Sequence, residues 1–139
     1  EIALSTITNC MEGYYKCIHK TTLKKIIIDK KENSKKVNKE FKEIMTEYLN
    51  TNEGKMIFSS QDRQSLKIYT KLTNHRNYFA HLNEKKKRFY GDSNLYMLLK
   101  IKLLFRVFML KDINQTIEID NLQKCIKNIE ENINWKKGV

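Results

Sequence analysis

The chain contains no proline and only four glycines in 139 residues. These two residue types most often end or bend helices, and no stretch alternates apolar and polar residues as a strand would. The sequence therefore predicts an all-α protein, a helical bundle of four to five helices, in a single domain spanning residues 1–139. Because the chain begins with Glu1 rather than methionine, we expect it to be part of a longer protein.

Apolar residues at helical spacing predict where the first three helices lie. The first is expected over about residues 2–20, and the second follows a charged connection that ends near residue 36. Residues 50–60 contain Asn, Gly and Ser, which predicts a loop. Ser59 or Ser60 then caps a third helix, whose apolar stripe is formed by Ile68, Leu72, His75, Phe79 and Leu82.

The last two predicted helices differ in character. A turn at residues 91–94 precedes a helix over about 95–111 that is apolar nearly all the way round, so it belongs at the bundle centre or in a subunit interface. After a second turn, Asp120 and Gln123 predict a capping box. The last helix carries an apolar stripe of Leu122, Ile126, Ile129 and Ile133.

The net charge of +11 favours an anionic partner such as nucleic acid. The alternative is that an AT-rich genome supplied the many Lys, Asn and Ile residues. The chain has no signal-peptide pattern, and its most apolar stretch, residues 95–110, is short and interrupted by Lys100, Lys102 and Arg106. We therefore expect a soluble, cytoplasmic protein that does not bind membranes.

Cysteine spacing gives no indication of a metal centre. Cys10 and Cys17 lie seven residues apart on one helix face, as buried thiols would, and Cys125 is distant in the sequence. No CxxC pair and no Cys/His cluster with zinc-like spacing occurs. The sequence therefore predicts reduced thiols, no metal and no cofactor.

The segment Arg76-Asn77-Tyr78-Phe79-Ala80-His81 carries the groups best suited to chemistry. A guanidinium can bind a phosphodiester through paired N–H groups, and an imidazole can accept or donate a proton near neutral pH. Asn77 can orient the imidazole or bind a phosphate oxygen. The run Lys85-Lys86-Lys87-Arg88 follows directly and can hold flanking backbone phosphates.

Helix geometry constrains how this segment can act. On an ideal helix Asn77 and His81 share a face, whereas Arg76 and His81 point about 140° apart. Three solutions are open: the helix ends or distorts near Ala80, the Arg76 side chain curls around, or a second copy of the chain completes the site.

Residues 72–82 resemble the R-x4-H motif region of the HEPN superfamily, closest to its ApeA-like subgroup. The resemblance implies a helical bundle that dimerises around the motif and cleaves RNA without metal. It carries over to Arg76, Asn77 and His81 as catalytic residues, and to Glu12 in the first helix as a candidate supporting carboxylate.

The function this implies is a metal-independent endoribonuclease of a bacterial anti-phage, abortive-infection or toxin system. It would leave 2′,3′-cyclic phosphate and 5′-OH ends on tRNA or another RNA, under a regulatory domain or partner protein outside this chain. The alternative is a non-catalytic HEPN-like module that binds RNA or a partner protein. A DNA-binding domain is a third hypothesis, but no short-turn helix pair with base-reading residues supports it.

Each candidate residue also has an ordinary structural interpretation. His81 can be a surface histidine near a helix C-terminus, where its charge suits the helix dipole. Glu12 can be a solvated or salt-bridged carboxylate. His75 lies in the apolar stripe, which favours a packing role, and His19 is expected to be exposed.

Overall fold

The computed structural model describes residues 2–20, 36–66, 68–81, 89 and 91–133, with the backbone alone at 36–39, 64–66, 69, 80 and 81. All regular structure in these ranges is helical, which confirms the all-α prediction. The seven helices are α1 (Ile2–Ile18), α2 (Lys36–Leu49), α3 (Asn52–Ile57), α4 (Ser60–Leu66), α5 (Ile68–His81), α6 (Gly91–Asp112) and α7 (Ile119–Asn132).

The helix α3 occupies a stretch for which the sequence predicts a loop, so that prediction was wrong. The hydroxyl of Thr51 accepts a hydrogen bond from the backbone N–H of Gly54 at 3.0 Å and caps the helix. A Cβ atom at Gly54 would collide with the carbonyl oxygens of Tyr48 and Leu49. Glycine is therefore what lets α3 fold back tightly against the end of α2.

The predicted third helix corresponds to α4 and α5. Ser59 caps α4, as predicted, because its hydroxyl accepts the N–H of Asp62 at 3.2 Å. From α4, the Arg63 side chain donates to the carbonyl of Phe58 at 3.1 Å, to Asn50 Oδ1 at 3.2 Å and to the carbonyl of Leu49. One arginine thus satisfies backbone acceptors where α2 and α3 end.

The helix α6, for which the sequence predicts a place at the bundle centre or in a subunit interface, contacts α1, α3 and α7. Its opposite face is exposed at Leu95 and Met109, so α6 is not enclosed on all sides by the described helices. It begins at Gly91 rather than near residue 95, so the predicted turn forms its first helical turn. Gly91 adopts φ +50°, and Asp92 lies where a negative charge complements the helix dipole. In the part of the chain that the structure describes, no helix is both long and apolar enough to cross a membrane.

A buried polar network joins α6 to its neighbours. The Lys100 side chain has no exposed surface, and its amine donates to Ile57 O at 2.6 Å, Asp62 Oδ2 at 3.0 Å and Glu130 Oε1 at 2.7 Å. Tyr96 donates to the second carboxylate oxygen of Asp62 at 3.1 Å. All three protons of the ammonium therefore have acceptors, which is what a buried lysine needs.

The apolar stripe predicted for the last helix is confirmed, since Leu122, Ile126 and Ile133 are buried. The predicted capping box is wrong. The helix begins one residue before Asp120, and the cap position is held by Glu118, which makes no side-chain capping bond.

The prediction that Cys10 and Cys17 are buried is also wrong, because both are exposed, as is Cys125. The buried positions of α1 are Leu4, Ser5, Thr8, Met11, Glu12 and Tyr15. The two cysteines share a face of α1 that points away from this row.

His19 is not the exposed residue that the sequence predicts, because it belongs to a polar cluster between the ends of α1 and α6. Its Nε2 atom lies 3.0 Å from Asp112 Oδ2, and the Tyr14 hydroxyl donates to the same oxygen at 2.7 Å. Burial, together with hydrogen bonding and charge from Asp112, raises the pKa of Tyr14 to about 12. The cluster thus favours the neutral phenol.

The Tyr14 pKa predicts how stability changes in alkali. The unfolded chain releases the phenol proton near pH 10, before the folded protein does, so the free energy of unfolding should fall as pH rises from about 10 towards 12. Tyr14→Phe should lower the free energy of unfolding by about 1 kcal/mol at pH 7, since one hydrogen bond is lost. In this variant the free energy of unfolding should also fall less steeply as pH rises above about 10. Urea unfolding at several pH values measures both effects. An unchanged alkaline slope in Tyr14→Phe would contradict the prediction.

Candidate functional site

The helix α5 carries the motif residues, and its backbone is helical through His81. On this backbone, positions 77 and 81 therefore lie on one face of the helix, and position 76 lies about 140° around the axis from position 81. The side chain of His81 and the run Lys85-Lys86-Lys87-Arg88 lie outside the described residues. The side chain of Asn77 is half-buried.

Arg76 is held by residues of two other helices. Its Nη2 lies 2.7 Å from Glu12 Oε2, and its Nε donates to Asn9 Oδ1 at 3.0 Å, both on α1. Its Cζ lies 4.7 Å from the centroid of the Phe41 ring on α2. Only 17% of the side chain is exposed, so the charge is largely enclosed and compensated.

Glu12 lies between two cations. One carboxylate oxygen contacts Arg76, and the other accepts a hydrogen bond from Lys16 at 2.8 Å. Lys16 also lies 3.6 Å from Glu40. Burial acts to lower the pKa of Lys16, but hydrogen bonds and charge from Glu12 and Glu40 outweigh it and leave that pKa raised.

The spacing of α1 explains how one helix serves this cluster. Asn9, Glu12 and Lys16 are three and four residues apart, so they lie on one face of α1. Of the two structural interpretations of Glu12, the salt-bridged one is confirmed, and the contact is with the motif arginine itself.

His75 has the packing role that its place in the apolar stripe predicts. It is buried, and its ring lies 5.1 Å from that of Phe79 and 6.3 Å from that of Phe89. Tyr78 packs edge-on against Phe79 at 4.9 Å. This aromatic cluster anchors one side of α5.

No pattern in the sequence indicates that Asn9 and Phe41 contact the motif. Asn9 belongs to no recognisable sequence motif. Phe41 belongs to the apolar stripe of α2, so the sequence predicts only that it is a core residue. Only the approach of α1 and α2 to α5 places them beside Arg76.

The described helices and the R-x4-H segment agree with the resemblance to HEPN domains, which are helical. The family model described as Apea-like HEPN matches residues 6–118, a range that contains Glu12, Arg76 and His81. The chain therefore belongs to the Apea-like HEPN family. No curated protein and no solved structure matches it. HEPN domains are commonly ribonucleases of defence and toxin systems.

Proposed function

We propose that the protein is a metal-independent endoribonuclease of an anti-phage, abortive-infection or toxin system, acting on RNA in the cytoplasm. The observation that carries this proposal is the enclosure of Arg76 by Glu12, Asn9 and Phe41 within the family-matched region. A guanidinium fixed in this way is ready to meet a phosphate without rearrangement.

The proposed reaction needs one base, one acid and charge stabilisation. One imidazole takes the proton of a ribose 2′-OH, the 2′-oxygen bonds to phosphorus, and the bond from phosphorus to the 5′-oxygen breaks. A second imidazole protonates the departing 5′-oxygen. The products are a 2′,3′-cyclic phosphate and a 5′-OH, while Arg76 stabilises the phosphate as negative charge builds up.

Two imidazoles at one phosphate imply two copies of the chain. His81 is the candidate base, and its counterpart in a second protomer is the candidate acid. The divergence of Arg76 and His81 around α5 supports this arrangement, because one straight helix cannot direct both side chains to the same point. Asn77 shares the His81 face and can orient the imidazole. The run Lys85-Lys86-Lys87-Arg88 would bind flanking RNA phosphates.

One observation favours a second candidate function. Arg76 already has an anionic partner in Glu12 and is mostly enclosed, as a purely structural arginine would be. The same fold could therefore serve as a non-catalytic module that binds RNA or a partner protein.

The test is RNA cleavage by the purified protein in EDTA, with total tRNA as substrate. Arg76→Ala and His81→Ala should each lower the rate at least about a hundredfold while RNA affinity stays near wild type. Arg106→Ala and His19→Ala are matched controls, since Arg106 is exposed on α6 and His19 lies outside the motif. Cyclic-phosphate ends should appear with the wild type.

The alternative predicts a different pattern. A binding module would show no cleavage by the wild type and the same RNA affinity in all five proteins. Cleavage that persists in both motif variants would also overturn the proposed catalytic roles.

A further inference from the structure

Phe41 contacts the motif arginine through the face of its ring. The residue lies on α2 and is fully buried, and the Arg76 Cζ atom is 4.7 Å from the ring centroid. At this distance the guanidinium interacts with the negative face of the aromatic ring. A core phenylalanine thus has a charged neighbour as well as apolar ones.

Three contacts hold the guanidinium in place. Phe41 supports it at its ring face, Asn9 accepts from Nε, and Glu12 pairs with Nη2. A guanidinium has five N–H groups, of which two are on Nη1. The contacts that hold Arg76 use Nε and Nη2, and no residue in the described part of the chain accepts from Nη1.

The contacts differ in what they control. Attraction to Glu12 keeps the charge in place but depends weakly on the tilt of the guanidinium. Contact with a ring restricts that tilt, and recognition of a phosphate by paired N–H groups depends on it. Displacement of a catalytic group by about 1 Å can cost about a hundredfold in rate.

We propose that Phe41 is a positioning residue for Arg76, setting the plane in which the Nη1 donors meet the phosphate of bound RNA. This inference rests on the proposed ribonuclease function. It assigns to α2, which carries no motif residue, a direct part in the geometry of the site. The ring acts through Arg76 and does not itself touch the RNA.

The kinetic test compares Phe41→Leu with Phe58→Leu in the same protein. Both phenylalanines are fully buried, but Phe58 lies at the end of α3 and does not contact Arg76. Phe41→Leu should lower kcat about tenfold and change KM less than about twofold, because RNA still binds while Arg76 tilts. The kcat of folded Phe58→Leu should equal that of the wild type. Equal kcat losses in the two variants would overturn the proposal.

A second series separates positioning from packing. Phenylalanines with one, two or three ring fluorines at position 41 nearly keep the shape of the ring but weaken its negative face. The value of kcat should fall stepwise along the series while the melting temperature stays close to that of the wild type. A constant kcat along the series would show that the ring acts only by filling space.

The third readout does not depend on cleavage. The ring should shift the NMR signal of the Arg76 Nε–H proton and slow rotation about the Nε–Cζ bond. In Phe41→Leu the ring-induced shift should disappear and the rotation should become faster, whereas Phe58→Leu should keep the wild-type shift and rate. An unchanged signal in Phe41→Leu would refute the proposal. If the wild type does not cleave RNA, the proposed function fails, but this signal still decides whether Phe41 holds Arg76.

Discussion

Replacing Lys100 by alanine is expected to lower the free energy of unfolding by about 3–5 kcal/mol. The change removes the cation from a fully buried site and takes away the Lys100 charge that pairs with the Asp62 carboxylate, which is also fully buried. The carbonyl of Ile57 loses its partner as well. Urea unfolding followed by circular dichroism measures the loss.

Two further variants test the reason for this loss. Lys102→Ala lies on the same helix but at an exposed position, and should stay within about 0.5 kcal/mol of the wild type. The double substitution Lys100→Met with Asp62→Leu removes both charges together and should recover much of the stability. A double variant as unstable as Lys100→Ala would show that packing, rather than the broken Lys100–Asp62 ion pair, causes the loss.

Glu12→Ala should lower the free energy of unfolding by about 3 kcal/mol, because Arg76 loses its anionic partner in a largely enclosed site. We expect a smaller loss than for Lys100→Ala, since water can reach the exposed part of Arg76, and Asn9 and Phe41 still contact it. The same unfolding measurement applies. Glu12→Gln keeps the shape of the side chain, and its free energy of unfolding should lie between those of the wild type and Glu12→Ala.

The matched control for Glu12 is Glu40→Ala. Glu40 belongs to the same ion-pair cluster but lies 3.6 Å from Lys16 and is more exposed. Its removal should cost less than about 1 kcal/mol. If the two alanine variants lose equal stability, Glu12 acts as an ordinary surface charge and its role in holding Arg76 is wrong.

The sequence predicts the parts of this fold that depend on local patterns. Apolar spacing places α1, α2, α6 and α7, and the low glycine and proline content explains why helices dominate. The nearly uniform apolarity of α6 agrees with its contacts with three other helices, but it does not predict that Leu95 and Met109 are exposed. Ser59 is found as a cap because its bond to Asp62 lies within one helical turn.

The errors occur where contacts between distant residues decide the outcome. The glycine in residues 50–60 indicates a loop, but Gly54 is there because α3 passes close to the backbone of α2. Lys100 interrupts an apolar helix in the sequence, and only the positions of Asp62 and Glu130 show that it is buried.

In the candidate site too, local patterns predict some residues and contacts between distant residues decide the others. The motif predicts Arg76, Asn77 and His81 as a group, and the resemblance adds Glu12. Which groups hold Arg76 depends on how α1 and α2 pack against α5, and this packing is not encoded in any short motif. The catalytic roles themselves remain predictions that the cleavage experiment tests.

The polar network around Lys100 has a consequence for where this domain ends. The family-matched range stops at residue 118, yet Glu130, which binds Lys100, lies in α7 beyond that point. Leu122 and Ile126 of α7 are part of the hydrophobic core. A chain truncated at residue 118 would lose one of the three acceptors of its buried lysine and expose apolar surface of α6. The limit of sequence similarity is therefore not the limit of the hydrophobic core, and expression boundaries should include α7.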